Sequence, residues 1–488
     1  MSKKDNKSKK KEQQDVVQKK EENEDVVLGD FTDANEEQLN DKELRQKYKI
    51  YINKGTEPPK PFTAFDQLQS EPHNFRDYLI NNIPYRDTPP TPVQMQAIPA
   101  MLQKRDTLVA AETGSGKTAA YTLPALALLH EPRKEGFRCI VIAPTRVLAE
   151  QIHRQFMLFS KGKDWRIRDI ASGSVSKDAL ASKRNDVLIA TPMKLISVVA
   201  DLPLSHLQMV IFDEADRLFD MGFAEQVDNL LASIQERAAQ NFTKHLFSAT
   251  IPLSVEQLAD SILNVRPLHI SIGVKNAGAS TIDQKLLFAG DESGKIIALK
   301  ERIAQGLKPP VLIFVQSIER AKQLYQELLL DKSYKVDYIH GKRSDVATKT
   351  SLRDFRLGKT WALICTDVMA RGLDFLGVSC VINYDFPVSM ISYVHRIGRT
   401  GRAGKRGEAV TFFTHEDLPL LRNIAEVMNK TGCDVPEWIF KRIKKVSNKT
   451  LSDTAVHNAM KASQLQKQQG TKRKYKGGAD KKNKKIKK

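Results

Sequence analysis

Residues 108–121 have the sequence LVAAETGSGKTAAY, and few folds accommodate this order of residue types. The apolar residues 108–110 predict a short buried strand, and the small residues 111–115 predict a loop. Residues 116–118, Gly-Lys-Thr, then begin a predicted helix. In this context the backbone N–H groups of the loop converge on phosphate oxygens, and the helix N-terminus adds a favourable dipole. The stretch therefore predicts a phosphate-binding loop, with a chance glycine-rich turn as the alternative.

The side chains of this loop have specific expected roles. Lys117 is expected to reach the β- and γ-phosphates of a nucleotide, and the Thr118 hydroxyl is expected to bind Mg²⁺. The first position of the usual pattern G-x-x-x-x-G-K-[ST] is Ala111 in this chain, which is a departure from glycine. The predicted nucleotide-binding residues of the loop are Ala111, Thr113, Gly114, Ser115, Gly116, Lys117 and Thr118.

Length and composition limit the classes of protein to which this chain can belong. A chain of 488 residues with 41% hydrophobic residues can form two or three domains with substantial cores. No apolar run is long enough to cross a membrane, and we expect no secretory signal at the N-terminus. The four cysteines lie far apart in sequence, which favours neither a zinc site nor a disulfide framework and is typical of a reducing compartment.

The net charge of +19 is concentrated at one end of the chain. Residues 441–488 contain 17 Lys or Arg and 2 acidic residues, a net charge of +15, which leaves +4 for the other 440 residues. Such a tail suits nucleic-acid phosphates or nuclear import, and a solubilising disordered end is the alternative. Charge alone suggests a nucleic-acid partner without establishing one.

Strands and helices alternate in two series. Strands are predicted at 139–143, 187–191, 210–213 and 245–248, and a second series follows between 282 and 413. Continuous β-branched runs separated by helices predict parallel sheets covered on both faces. We therefore expect an α/β fold with two tandem lobes, divided into a disordered charged extension at 1–60, a nucleotide-binding lobe at 61–272, a linker at 273–281, a second lobe at 282–440 and a basic disordered tail at 441–488. Within the extension, residues 41–52 could form a short helix.

Two adjacent carboxylates lie at the C-terminal end of the strand predicted at 210–213. Asp213 is expected to hold the Mg²⁺ shell, and Glu214 is expected to orient or deprotonate the attacking water. An ordinary acidic strand end is the alternative. The residues Asp-Glu-Ala-Asp at 213–216 resemble the signature of the DEAD-box RNA helicases, and the resemblance covers about residues 62–440. It implies two RecA-like lobes that bind ATP between them, and alanine at position 111 is the rule in that family.

The resemblance also implies roles for residues far from the loop. Gln94 is similar to the adenine-reading glutamine of the family, with Phe65 as the stacking aromatic, although Phe65 as a plain core residue remains open. Ser248 and Thr250 resemble the small hydroxyl motif that joins hydrolysis to strand separation. Arg399 and Arg402 resemble the arginine fingers of the second lobe, and Asp374 the residue that contacts the ATP ribose.

A further set of residues resembles the RNA-backbone contacts of the family. Hydroxyls, backbone N–H groups and arginines suit phosphate and ribose without reading bases. This chain departs from the family pattern at Val147, where glutamate is usual, and at Asp345 and Thr348, where glutamine and arginine are usual. The implied RNA-binding residues are Pro144, Thr145, Arg146, Gly173, Thr191, Pro192, Thr366 and Arg371.

The resemblance implies an ATP-dependent RNA helicase with a monomeric core, Mg²⁺ as cofactor and no membrane partner. Residues 50–59, 310–322 and 381–387 are similar to a nucleolar group that acts in small ribosomal subunit assembly. That similarity implies a pre-rRNA substrate, assembly proteins as possible partners and a location in the nucleus and nucleolus. Two alternatives stay open: an ATP-gated RNA clamp in which unwinding is not the main task, and a DNA translocase with the same core.

Overall fold

The computed structural model describes residues 39–173, 175–220, 224–239, 241–263, 267–273, 281–330, 334–367, 377–402 and 405–443. Its first helix, α1 (Asp41–Lys47), begins after Asn40, whose side chain accepts hydrogen bonds from the backbone N–H groups of Lys42 and Glu43. The Glu43 carboxylate accepts the Asn40 N–H in return. The disorder expected for the extension at 1–60 therefore does not include this segment. The short helix considered at 41–52 forms at Asp41–Lys47, where these reciprocal bonds satisfy its first turn.

The first lobe is built on an eight-stranded sheet. Its order is β1-β8-β2-β7-β6-β3-β5-β4. Only β1 runs antiparallel, to β8, whereas the other neighbours are parallel. The strands are β1 (Ile50–Lys54), β2 (Thr107–Ala110), β3 (Cys139–Ile142), β4 (Ile167–Asp169), β5 (Val187–Ala190), β6 (Met209–Phe212), β7 (Thr243–Ser248) and β8 (Leu268–Ile272).

Strand β1 corrects a second part of the predicted disorder. The first lobe is predicted to begin at residue 61, yet Ile50 pairs with Ile272 and Ile52 pairs with Ile270. The Lys49 carbonyl accepts the Gly273 N–H at 2.9 Å, which continues the pairing to the first residue of the predicted linker. Residues 274–280 of that linker lie outside the described residues, so the predicted domain boundaries stay a prediction there.

Helices cover both faces of the central strands. The central strands β2, β3, β5 and β6 are buried at every residue, as expected for parallel strands between two helical layers. The helices are α2 (Asp77–Asn81), α3 (Pro92–Leu102), α4 (Lys117–Leu129), α5 (Arg146–Phe159), α6 (Lys177–Ala181), α7 (Pro192–Ile196), α8 (Ala215–Asp220), α9 (Ala224–Gln235) and α10 (Leu253–Ile262).

The second lobe is a six-stranded, fully parallel sheet of order β11-β12-β10-β13-β14-β9. Its strands are β9 (Ile282–Gly290), β10 (Val311–Val315), β11 (Val336–Ile339), β12 (Ala362–Thr366), β13 (Cys380–Asn383) and β14 (Gly407–Thr414). Its helices are α11 (Gly294–Ala304), α12 (Ile318–Leu329), α13 (Asp345–Arg356), α14 (Met390–Ile397), α15 (Leu418–Lys430) and α16 (Glu437–Arg442).

The two sheets confirm the predicted α/β class with tandem lobes. All four cysteines are free, and three of them, Cys139, Cys365 and Cys380, are buried within strands. Among the described helices, none combines the length and the apolar character that crossing a bilayer requires. Of the predicted tails at 1–60 and 441–488, residues 1–38 and 444–488 lie outside the described residues.

Candidate functional site

A cavity of about 910 Å³ lies between the two lobes. Its first-lobe wall consists of loops that follow β2 and β6, together with residues from α4 and α5. Its second-lobe wall comes from α13, α14 and the turn after α14. The lining includes Tyr85, Thr113, Gly114, Gly116, Lys117, Thr118, Val147, Asp213, Glu214, Lys349, Leu352, His395, Arg399 and Arg402. Most of the predicted nucleotide-site residues therefore meet at one place.

The loop between β2 and α4 has the geometry of a phosphate cradle. Gly114 and Gly116 have φ values of 81° and 94°, which favour glycine. A Cβ atom on Gly116 would lie 2.7 Å from the Gln94 Nε2 atom, so the loop lies tightly against α3. The Lys117 ammonium donates to the carbonyls of Ala111 at 2.6 Å and Glu112 at 2.7 Å. Burial lowers the pKa of Lys117, so an anion beside it would stabilise its charged form.

Phe65 does not line the cavity, and the prediction that it stacks on adenine is not supported by its position. Its side chain is 0% exposed, which favours the core alternative. Tyr85 takes the cavity-lining position instead and packs edge-on against Phe65, with ring centroids 5.7 Å apart. Burial raises the pKa of Tyr85 to about 12, against a hydrogen bond with Gln94 that lowers it. The Gln94 Oε1 atom also accepts the Thr91 N–H, which fixes the amide beside the phosphate loop.

The two carboxylates after β6 lie in a poorly solvated position. Burial, and then the neighbouring charge of Glu214, raises the pKa of Asp213 to about 6, against Lys117 and the Tyr121 hydroxyl, which donates to Asp213 at 2.8 Å. Glu214 has φ 48°, a strained value for a residue with a side chain. Its buried Oε2 atom has no hydrogen-bond partner among the described residues. These features suit a cation and a water molecule beside the carboxylates.

Asp216 joins three segments of the chain. Its Oδ2 atom accepts the Thr250 N–H at 2.9 Å, the Thr250 hydroxyl at 2.6 Å and His395 Nε2 at 3.1 Å. The Ser248 hydroxyl accepts the Asp216 N–H at 3.1 Å and donates to the Thr250 carbonyl at 2.7 Å. The predicted residues Ser248 and Thr250 are therefore bonded to the acidic box, and Asp216 connects both of them to the second lobe.

Arg399 and Arg402 line the cavity opposite the phosphate loop. A Cβ atom on Gly114 would lie 3.1 Å from the Arg402 Cγ atom, which shows how closely this arginine approaches the loop. The Thr113 hydroxyl donates to the Gly398 carbonyl at 3.0 Å across the cleft. The two guanidinium groups thus share one cavity with Lys117 and the carboxylates, as arginine fingers require.

The predicted RNA contacts of the first lobe lie at the carboxyl ends of neighbouring strands. Thr145 and Arg146 follow β3, Thr191 and Pro192 follow β5, and these two strands are paired. The Ser172 hydroxyl donates to the Arg146 carbonyl at 3.1 Å, which brings the Gly173 loop to the same edge. Pro144 is buried beside them.

Only some of the site residues predicted in the second lobe are among the described residues. Thr366 ends β12 and is 7% exposed, at the carboxyl edge of the second sheet. Arg371 and Asp374 lie outside the described residues, so their predicted contacts with RNA and with the ATP ribose stay predictions.

Comparisons with known proteins give the family. The DEAD/DEAH box helicase model matches residues 91–258, and the helicase conserved C-terminal domain model matches residues 294–404. ATP-dependent RNA helicase ROK1 of Yarrowia lipolytica is 44% identical over 413 residues, which cover 81% of this chain and 74% of that protein. DEAD-box ATP-dependent RNA helicase 57 of Oryza sativa is 43% identical over 409 residues, which cover 83% of this chain and 74% of that protein. This chain belongs to the DEAD-box ATP-dependent RNA helicase family.

Other similarities agree with membership of this DEAD-box family. Probable ATP-dependent RNA helicase ddx52 of Dictyostelium discoideum is 46% identical over 81% of this chain, which spans 59% of that relative's length. The structure of Saccharomyces cerevisiae Dbp5 bound to RNA and ADP BeF3 matches with a TM-score of 0.66 at 26% identity, over 78% of this chain and all of that one. The structure of Mss116p bound to ssRNA and AMP-PNP matches with a TM-score of 0.67 at 26% identity. The match covers 80% of this chain and 83% of that one. These matches confirm the two RecA-like lobes.

Several residues of this DEAD-box site were not predicted from the sequence. Asp216 is the last letter of the acidic box and His395 begins the arginine-rich segment, so both stood inside recognised motifs without an assigned role. Tyr85 and Tyr121 carry no motif signal, because their positions depend on how α3 and α4 pack. Tyr121 does lie on α4 one turn after Lys117, a spacing that places it on the loop side of the helix.

Proposed function

We propose that this chain hydrolyses ATP in response to RNA and uses the cycle to open RNA duplexes or remodel RNA–protein complexes locally. One observation carries the proposal: a single cavity contains the phosphate loop and carboxylates of one lobe and two arginines of the other. Such a site is complete only when the lobes are together. Hydrolysis can therefore be made dependent on whatever brings them together.

The residues divide the chemistry among them. Lys117 would hold the β- and γ-phosphate oxygens, and the loop N–H groups would bind the remaining charge. Thr118 and Asp213 would hold Mg²⁺, for which hydroxyl and carboxylate oxygens are suitable ligands. When bound, this ion neutralises phosphate charge. The Glu214 carboxylate would accept a proton from the attacking water, while Arg399 and Arg402 would stabilise the charge that develops on the γ-phosphate.

RNA would bind along the carboxyl edges of both sheets through its backbone. Thr145, Arg146, the Gly173 loop, Thr191 and Thr366 offer hydroxyl, guanidinium and backbone groups there, which suit phosphate and ribose rather than base edges. A strand held by both lobes in one path cannot keep its partner paired, so closure opens a duplex locally. ATP and RNA should therefore bind with positive coupling.

We further propose that the RNA is pre-ribosomal and that the protein acts in the nucleolus during small-subunit assembly. The support is the similarity of residues 50–59, 310–322 and 381–387 to the nucleolar group of DEAD-box proteins. The basic residues 441–488 would add salt-sensitive, sequence-independent RNA affinity. Crosslinking the protein to cellular RNA and sequencing the attached fragments tests this: enrichment of mRNA over pre-rRNA would refute it.

The central test compares nucleotide and RNA dependence directly. A labelled single-stranded RNA should bind more tightly in the presence of a non-hydrolysable ATP analogue than with ADP. ATP hydrolysis should rise with poly-RNA and not with single-stranded DNA, and Glu214→Gln should abolish hydrolysis while keeping analogue-dependent RNA binding. Equal RNA affinity in both nucleotide states would contradict the mechanism. Survival of the cellular function when Glu214→Gln is the only form of the protein present would favour the clamp alternative.

A further inference from the structure

One side chain of the first lobe packs into the hydrophobic core of the second. Val147 is the second residue of α5, is partly buried, and packs against a second-lobe cluster that includes Phe314, Leu352 and Phe355. Leu352 is the member of that cluster that also lines the interlobe cavity, and it is 8% exposed. Among the partly buried hydrophobic residues of the described part of the chain, Val147 is the one that packs against this cluster.

The surroundings of this contact resemble a small interface with an apolar centre and a polar rim. Lys349 and Arg356 on α13 are exposed and line the same cavity. On the facing helix Glu150 and Arg154 form an exposed ion pair at 3.0 Å. Thr348 lies one helical turn before Leu352 and is 9% exposed, so that face of α13 is covered. A shielded apolar centre of this kind concentrates the energy of an interface.

The position of Val147 along α5 connects it with the RNA-binding edge. It directly follows Thr145, which caps the helix through the Leu148 N–H, and Arg146. Movement of this helix end on RNA binding would therefore move Val147 with it. The exposed Arg146 would then contact RNA, while the adjacent Val147 contacts the second lobe.

We propose that Val147 is a positioning residue whose contact with the Leu352 cluster stabilises the closed arrangement of the lobes and links closure to RNA at the start of α5. This inference rests on the proposed function, because closure matters only for a site completed by both lobes. The contact joins two lobes, so it contributes only when they are closed. Weakening it lowers the closed population and with it the apparent RNA affinity of the ATP-bound state.

The test measures RNA binding by the full chain in two nucleotide states. Val147→Thr keeps the shape of the side chain and replaces one methyl group by a hydroxyl, so it removes apolar burial without opening a cavity. Fluorescence anisotropy with a labelled single-stranded RNA should show about three- to tenfold weaker binding with a non-hydrolysable ATP analogue. Binding with ADP should change by less than about twofold, and Val147→Ile should bind like the wild type.

A matched control and a double-mutant cycle separate this role from a local one. Met157→Ala shortens an apolar side chain on the same helix that is 49% exposed, and it should leave both affinities unchanged. Leu352→Met is a mild change in the cluster, and its effect with the analogue should be smaller in the Val147→Thr background. Additive effects, or equal losses in both nucleotide states, would overturn the inference.

A failure of the proposed function would give a different result from a failure of the role proposed for Val147. If the wild-type protein itself bound RNA equally with the analogue and with ADP, the proposed function would fail. If the wild type distinguished the two states and Val147→Thr behaved identically to it, only the role of Val147 would fail. Thermal unfolding of the ligand-free variants checks that each folds normally.

Discussion

The Nε2 atom of His395 lies 3.1 Å from the Oδ2 atom of Asp216, so the second lobe contacts the last residue of the acidic box. Burial by itself raises the pKa of Asp216, but His395, the Thr250 hydroxyl and Arg217 outweigh it and lower the pKa overall. Burial also lowers the pKa of His395, which favours a neutral ring that donates from Nε2. The Asp216 carboxylate therefore hydrogen-bonds both to the Ser248–Thr250 segment and to the second lobe.

Replacing Asp216 should uncouple the lobes more than it harms the nucleotide site. In Asp216→Asn the amide cannot accept all three hydrogen bonds with the strength of a carboxylate. We expect RNA-stimulated ATP hydrolysis to fall about 10- to 100-fold, while nucleotide affinity changes little. Steady-state hydrolysis and titration with a fluorescent nucleotide measure the two effects. Asp201→Asn, on an exposed turn, is the control, and an equal loss of nucleotide affinity would contradict the prediction.

The raised pKa of Asp213 should appear as a pH-dependent stability. Its pKa is about 6 in the folded protein because of burial and Glu214, against 3.8 as the reference. Between these values the unfolded chain releases the proton first, so the free energy of unfolding falls as pH rises and is flat above about pH 6. The difference in the free energy of unfolding between the wild type and Asp213→Asn should change by about 3 kcal/mol between pH 3.8 and about pH 6. Urea unfolding at several pH values checks this, and added Mg²⁺ should reduce the slope.

Local sequence patterns predicted the strands well. Strand β10 has the bounds that its apolar run indicates, and all five of its residues are buried, as expected for a parallel strand between two helical layers. Strand β1 was not predicted, since Ile50, Tyr51 and Ile52 form too short a run to distinguish from the end of a helix. Its partner β8 lies more than 200 residues away, and no local pattern reports such a pairing.

The nucleotide site was predictable where one motif contains its residues. Lys117, Thr118, Asp213 and Glu214 meet as expected because each follows a buried strand, and parallel strands end at one edge. The choice between Phe65 and Tyr85 was not predictable, because both are aromatic residues upstream of Gln94 and only the packing of the chain determines which one lies inside. Val147 was recognised as a departure from the family pattern, but its second-lobe contact required the structure.

The close approach of Thr113 and Gly398 provides a steric test of closure. A Cβ atom on Gly398 would lie 1.9 Å from the Thr113 Oγ1 atom. Gly398→Ala should therefore obstruct the closed cleft and reduce RNA-stimulated hydrolysis about 5- to 100-fold. Combining it with Thr113→Ala should restore part of the activity, because the clashing hydroxyl is removed. Gly341→Ala meets nothing within 4 Å and is the control.

Substitution of Tyr85 should mainly lower the affinity for ATP, whereas substitution of Phe65 should mainly lower the stability of the fold. Tyr85 lines the cavity, so Tyr85→Ala should raise the ATP concentration for half-maximal hydrolysis about tenfold with a small change in stability. Phe65 is fully buried, so Phe65→Ala should lower the free energy of unfolding by about 3–5 kcal/mol. Tyr85→Phe keeps the ring and loses only the hydroxyl contact with Gln94, so it should resemble the wild type. Fluorescent-nucleotide titration and urea unfolding measure both quantities. A Phe65→Ala protein of normal stability that binds ATP weakly would restore the stacking role to Phe65.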